Sequence, residues 1–158
     1  MSGKTLVLLT LGFLLKCGLG YASDFDTLVP ITKKGITTYY VSGSINGSDS
    51  LDFLVDTGSG HSAINEETLA NLTEQGSAKF VKKVSATLAN GSKVLLSVYK
   101  IASINIGGNC MIHDIEAVVL PGKTRNILGL SALEKTAPFA VSVNPPRLML
   151  SQCEEIST

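Results

Sequence analysis

The chain has no tryptophan, and aromatic residues of any kind make up only 6% of it. Proteins that hold single-stranded nucleic acid need stacking platforms along a basic groove. Here 13 acidic residues cancel 13 lysines and arginines, so the basic field is missing as well and no nucleic-acid partner is expected. Histidine is equally scarce. His61 and His113 stand far apart, and no HExxH pattern exists, which excludes a zinc site of the metalloprotease kind. Cysteine is rare too. Cys17, Cys110 and Cys153 fall in no metal-ligating spacing, so neither a metal nor another cofactor is expected. Charge is thin at 16% of residues, which argues against a coiled coil or a disordered tail.

What is present is a compact, turn-rich chain. Its 158 residues, 44% of them apolar, suffice for one domain with a real core. The first 22 residues read differently from the rest. Lys4 precedes an apolar run, Leu6 to Leu15, broken by Thr10 and Gly12, and Gly20-Tyr21-Ala22 offers small residues at a cleavage site. Residues 1–22 are therefore expected to be a signal peptide or, left uncleaved, an N-terminal anchor. The run is too short for an ordinary membrane span. Loss of Lys4 and Lys16 would leave a neutral chain with a net charge of −2. Export would also leave Cys110 and Cys153, which could form a disulfide or simply be two small buried residues; spacing does not decide. Asn46, Asn71 and Asn90 each begin a glycosylation sequon.

Residues 23–35, with Pro30 and Lys33-Lys34-Gly35, read as an exposed lead segment. From Ile36 the pattern is strand after strand. Thr37 to Val41 and Leu51 to Val55 read as a hairpin around Asn46-Gly47. Asn65 can cap a short helix to Leu72, with Glu66 and Glu67 in its first turn. Lys79 to Leu88 and Lys93 to Ile106 flank Asn90-Gly91, the strongest hairpin signal in the chain. Ile112 to Leu120 is a further strand, Ile127-Leu128-Gly129 a short apolar piece, and Leu130 to Lys135 a helical turn or two. Phe139 to Val143 and Arg147 to Leu150 close the pattern, and residues 153–158 form a tail. Short strands at regular spacing with little helix predict an all-β, closed barrel or sandwich.

The segment that carries chemistry is Phe53-Leu54-Val55-Asp56-Thr57-Gly58-Ser59-Gly60. A buried apolar strand delivers an acid into a glycine-rich turn. Glycine at 58 lets a backbone N–H approach the carboxylate, and a hydroxyl at 57 or 59 can brace the turn. One fixed carboxylate is not yet a catalyst. Peptide hydrolysis by carboxylates needs two about 3 Å apart, sharing one proton. The chain holds no second Asp-Thr-Gly or Asp-Ser-Gly. A second copy of Asp56 across a two-fold axis is the simplest supply.

Three pieces in order, Phe53 to Gly60, the Asn90-Gly91 hairpin and Asn126 to Leu130, resemble the retropepsins, the single-lobe aspartic proteases of retroviruses, and more closely their bacterial exported relatives. Asp114 to Gly122 is also similar to the bacterial members. The resemblance spans residues 36–152 and implies a retropepsin-like fold with a flap hairpin and one or two short helices. It implies an aspartic endopeptidase acting on polypeptides as a homodimer, with Asp56 as catalytic acid and base. Thr57 would hydrogen-bond across the dimer, Gly58 would donate to the carboxylate, and Ser59 would hydrogen-bond the aspartate as in pepsin-like lobes. Leu88, Asn90 and Gly91 would form the flap over substrate, and Ile127, Leu128 and Gly129 the strand supporting the active-site turn. Arg147 to Leu150 would join the dimer sheet. The implied location is the periplasm of a bacterium, free or tethered to the inner membrane and facing the periplasm. Viral members follow the supporting glycine with an arginine that stabilises the dimer, whereas Leu130 and Ser131 stand here. That departure leaves room for a non-catalytic peptide-binding or structural module of the same fold. Val84, Leu88, Leu95 and Ile127 are expected to wall an apolar substrate cleft.

Overall fold

The computed structural model describes residues 25–87 and 90–154. The leader, residues 1–22, and Leu88 therefore lie outside the described residues. Among the described residues eleven strands, β1 to β11, make two sheets, accompanied by two short helices. No helix among the described residues is long and apolar enough to cross a membrane.

The larger sheet closes on itself. Strand β3 (Thr38–Ile45) forms the expected hairpin with β4 (Leu51–Val55), with Val41 opposite Phe53. Next come β9 (Asn126–Leu128), β5 (Ser62–Asn65), β8 (Cys110–Leu120) and β7 (Lys93–Ile106), and β7 pairs back onto β3. The closure depends on Gly43, which faces Ile106 across the seam. A side chain there would place its Cβ 2.4 Å from the Asn105 carbonyl oxygen, too close for β3 and β7 to stay paired. Strand β2 (Thr32–Lys34) extends the ring beside β3, and β6 (Ala78–Thr87) pairs with β7 as the long hairpin around Asn90-Gly91. Inward-facing residues such as Val41, Ile45, Phe53, Ile101 and Ile115 are fully buried, as alternation on a closed sheet requires.

Helix α1 (Glu66–Glu74) starts where its cap predicts. The Asn65 side chain accepts from the Thr68 amide at 2.8 Å, and Glu66 and Glu67 sit at the positive end of the helix. Helix α2 (Leu130–Leu133) continues into a 3-10 turn, Glu134–Thr136, and buries Ala132 and Leu133.

The smaller sheet corrects two sequence expectations. Within residues 25–35 the lead is not exposed throughout. Strand β1 (Thr27–Pro30) pairs with β11 (Pro146–Leu150), and Val29 and Ile31 are buried in the core. Arg147 to Leu150 does form a strand, but not one available to a partner's sheet. β11 is hydrogen-bonded to β1 on one side and to β10 (Phe139–Val143) on the other. Among the described residues the free edges of this sheet are those of β1 and β10. The tail is tied as well: Cys110 and Cys153 form a disulfide, and the Met111 amide donates to the Glu154 carbonyl at 3.3 Å.

Candidate active site

Asp56 leaves the end of β4, with Phe53 and Leu54 buried just before it. β9 runs parallel beside β4, Leu54 facing Ile127 and Val55 facing Leu128. The Asp56 amide then donates to the Leu128 carbonyl at 3.1 Å, so the pairing reaches one residue past the strand. In the turn, Gly58 N–H donates to Asp56 Oδ1 at 3.0 Å, and Ser59 N–H to the Asp56 carbonyl at 3.2 Å. The carboxylate is thus oriented by the backbone and remains half-exposed. Thr57 is exposed beside it.

Ser59 departs from expectation. Its hydroxyl donates to the His61 carbonyl at 2.6 Å instead of holding Asp56. The reason is the path of the chain, which turns into β5 at Ser62 and brings the His61 carbonyl back over Ser59.

Gly129 locks this loop from beneath. A Cβ on Gly129 would stand 2.3 Å from the His61 carbonyl oxygen and 2.9 Å from that of Ser59, so only glycine fits. The first turn of α2 then caps the loop, Leu130 N–H donating to the Ser59 carbonyl at 2.9 Å and Ser131 N–H to that of Gly60 at 3.2 Å. Two serines complete the clamp. Ser62 N–H donates to Ser131 Oγ at 2.8 Å, and Gly129 N–H donates to Ser62 Oγ at 3.2 Å. Sequence reasoning missed both residues. They are 69 positions apart, and a lone serine carries no local signal. Asn126 was likewise not assigned a role. It is buried, and its side-chain oxygen accepts from the Asn65 amide at 3.0 Å and from Thr68 Oγ1 at 3.3 Å, joining β9 to the cap of α1.

The β6–β7 hairpin brings a second apolar surface to the site. Leu96, Val98, Val118 and Ala63 form a buried cluster against which Val84 and Ile127 pack. Ala63 faces Ile127 directly, so this surface adjoins the supporting strand. Val84 and Ile127, both expected in a cleft wall, share one apolar surface. Leu95 does not: it faces Ser85 on the other side of the hairpin and is 66% exposed. At the tip, Gly91 takes φ +82°, a conformation that favours glycine. The Asn90 side-chain oxygen accepts from the amide and hydroxyl of Ser92. Among the described residues no cluster of His, Cys, Asp or Glu could hold a metal ion.

Comparison with known proteins agrees with this fold. The family described as "gag-polyprotein putative aspartyl protease" matches residues 41–135. The fold is similar to that of a retropepsin-like aspartic protease from Rickettsia conorii, with a TM-score of 0.57 at 22% identity, over 78% of this chain and 90% of that one. No match was found among curated proteins.

Proposed function

The chain belongs to the gag-polyprotein aspartyl protease family, and from that premise we propose that it is an endopeptidase whose catalytic dyad is Asp56 from two copies of the chain. The single observation that carries this reading is the Asp56 turn itself, a carboxylate oriented by Gly58 and held rigidly by Leu128, Gly129 and α2. In the dyad one carboxylate is ionised and takes a proton from water. The other is protonated and donates to the carbonyl oxygen of the scissile bond. Two carboxyls this close titrate as a pair. Thr57, exposed next to Asp56, would bridge the two chains beneath the dyad.

The seam we assign to β10. Its outer edge carries no strand among the described residues, and Val141 and Val143 are 39% and 61% exposed. The strand is uncharged throughout, Phe-Ala-Val-Ser-Val, so nothing opposes self-pairing. An antiparallel β10–β10 contact is its own complement under a two-fold axis.

The partly exposed Val84 and Ile127, backed by the buried Val98 and Val118, suit extended polypeptides with aliphatic side chains near the cleaved bond. An exported location, periplasmic or tethered by residues 1–22, is part of the proposal. The Cys110–Cys153 disulfide supports it, since such bonds persist in oxidising compartments.

The test is Asp56→Asn assayed against a peptide library across acidic to neutral pH. Asparagine keeps an oxygen for the Gly58 amide, so the fold should survive while cleavage disappears. Turnover by the purified, folded variant would remove the assignment.

A further inference from the structure

One face of the cleft sheet changes character along its length. Cross-strand partners share a face. Val84 lies opposite Leu96, Lys82 opposite Val98, Val98 opposite Val118, and Lys100 opposite Glu116. In β5, Ala63 faces the apolar cluster while Ser62 points inward and is buried. His61, one position before Ser62, is therefore directed to the same side as Ala63, level with Glu116. The aliphatic wall thus gives way at one end to a charged band of His61, Lys82, Glu116, Lys100 and Asp114.

Within the band the fixed charges are already matched. Lys82 Nζ meets Glu116 Oε2 at 2.7 Å, and Lys100 Nζ meets Asp114 Oδ1 at 2.7 Å. The Lys82 hydrogen bond holds the Glu116 carboxyl below its ordinary range, with smaller contributions from His61 and Lys100. What remains is donor capacity. A lysine ammonium has three N–H groups, and the imidazole adds a further donor. The acids, by contrast, are claimed. His61 is also well placed: its carbonyl is gripped by Ser59 Oγ and lies under Gly129, so its backbone is fixed relative to the Asp56 turn.

We propose that this band is a specificity subsite that selects a carboxylate-bearing side chain on the substrate, two residues along from the side chain seated on the aliphatic wall. The spacing follows from strand geometry. Lys82 and the partly exposed Val84 are two residues apart on β6, roughly 7 Å, and so are same-face side chains of an extended peptide. The carboxylate would take hydrogen bonds from His61 and Lys82, whereas a basic side chain would have to displace a lysine from Glu116 or Asp114. The inference rests on the endopeptidase reading for the nature of the ligand, an extended polypeptide.

The test separates binding from cleavage. Peptides with an apolar side chain next to a reduced, non-cleavable bond are prepared with Glu or Gln two residues to either side of it. Binding to the wild-type chain is measured by fluorescence anisotropy. The Glu peptide is expected to bind about fivefold more tightly in one of the two placements, the size of a partly exposed charged contact. The ratio should fall to near one in His61→Ala and be retained in His61→Arg. Equal binding of Glu and Gln peptides by wild type in both placements, or an unchanged ratio in His61→Ala, overturns the subsite. Cleavage of the corresponding ordinary peptides is followed in parallel. A Glu preference in binding without any cleavage would support the subsite and count against the dyad.

Discussion

Gly129 and His61 are in contact through their backbones, so closely that a single methyl group on Gly129 would come within 2.6 Å of the His61 carbonyl carbon. The loop bearing Asp56 therefore rests directly on the chain leaving β9, with no side chain between. Gly129→Ala should displace that loop and its hydrogen bonds to Leu130 and Ser131. The expected cost is at least about 1–3 kcal/mol of stability, the usual penalty for overpacking. Peptide cleavage should fall by more than the loss of folded protein explains. Chemical denaturation alongside activity per folded molecule checks both parts. An unaltered activity in Gly129→Ala would mean that the support strand does not position the catalytic turn.

Much of this arrangement is written locally in the chain. Asn65 announces the start of α1, Asn90-Gly91 announces the long hairpin, and Leu51 to Val55 announces the strand that ends at Asp56. Such signals need only neighbours in sequence. The parts that escaped local reading depend on distant partners. Val29 is buried because Thr27 to Pro30 pairs with Arg147 to Leu150 at the far end of the chain, and nothing in a Pro- and Lys-containing segment reveals that. Leu95 looks like a cleft residue until the register with Ser85 turns it outward. Ser62, Ser131 and the level of His61 with Glu116 are likewise set by long-range register. The acid, its Gly58 donor and the strand beneath it were legible; the serines that clamp the loop were not.

The free edge of β10 predicts where the dimer can be broken without harming the monomer. Val141 and Val143 are substantially exposed, while their neighbour Leu148 is fully buried. Val143→Lys, or Val141→Lys with it, should leave thermal stability near that of wild type and shift sedimentation to the monomer. Cleavage should be lost with it. For wild type, activity per chain should decline on dilution, because half a dyad does nothing. A fully active lysine variant would move the seam elsewhere.

The ion pairs of the charged band predict a direction of pH dependence. Lys100 hydrogen-bonds Asp114 and holds its carboxyl below the ordinary range, as Lys82 does for Glu116. A depressed carboxyl stabilises the fold at pH above the unfolded carboxylate range, about 4. That contribution disappears as pH falls through the lower, folded value. Asp114→Asn and Glu116→Gln should therefore be less stable than wild type near neutrality, and the gap should close in acid. Both pairs are open to solvent, so salt should narrow the gap as well. Denaturation midpoints from neutral pH to below pH 3 would show it. A gap that widened in acid would contradict the pairing.

Cys110 and Cys153 span 43 residues, including β8, β9, α2 and the last two strands. Closing a loop of that size restrains the unfolded chain by about 4 kcal/mol in chain-entropy terms. Reduction, or Cys110→Ala with Cys153→Ala, should lower the unfolding free energy by a comparable amount and the denaturation midpoint with it. The folded site should nonetheless persist. β11 keeps its pairing to both β1 and β10, and the Ser151 amide still donates to the Thr136 carbonyl at 3.1 Å. Cleavage per folded molecule at 25 °C should then be unchanged, and the loss should show as earlier unfolding on heating or in denaturant. Equal midpoints for the oxidised and reduced chains would mean that the bond adds nothing the strands do not already supply. A fall in activity without a fall in stability would instead tie the tail to the dimer seam, since β10 and β11 are the elements nearest to it in sequence.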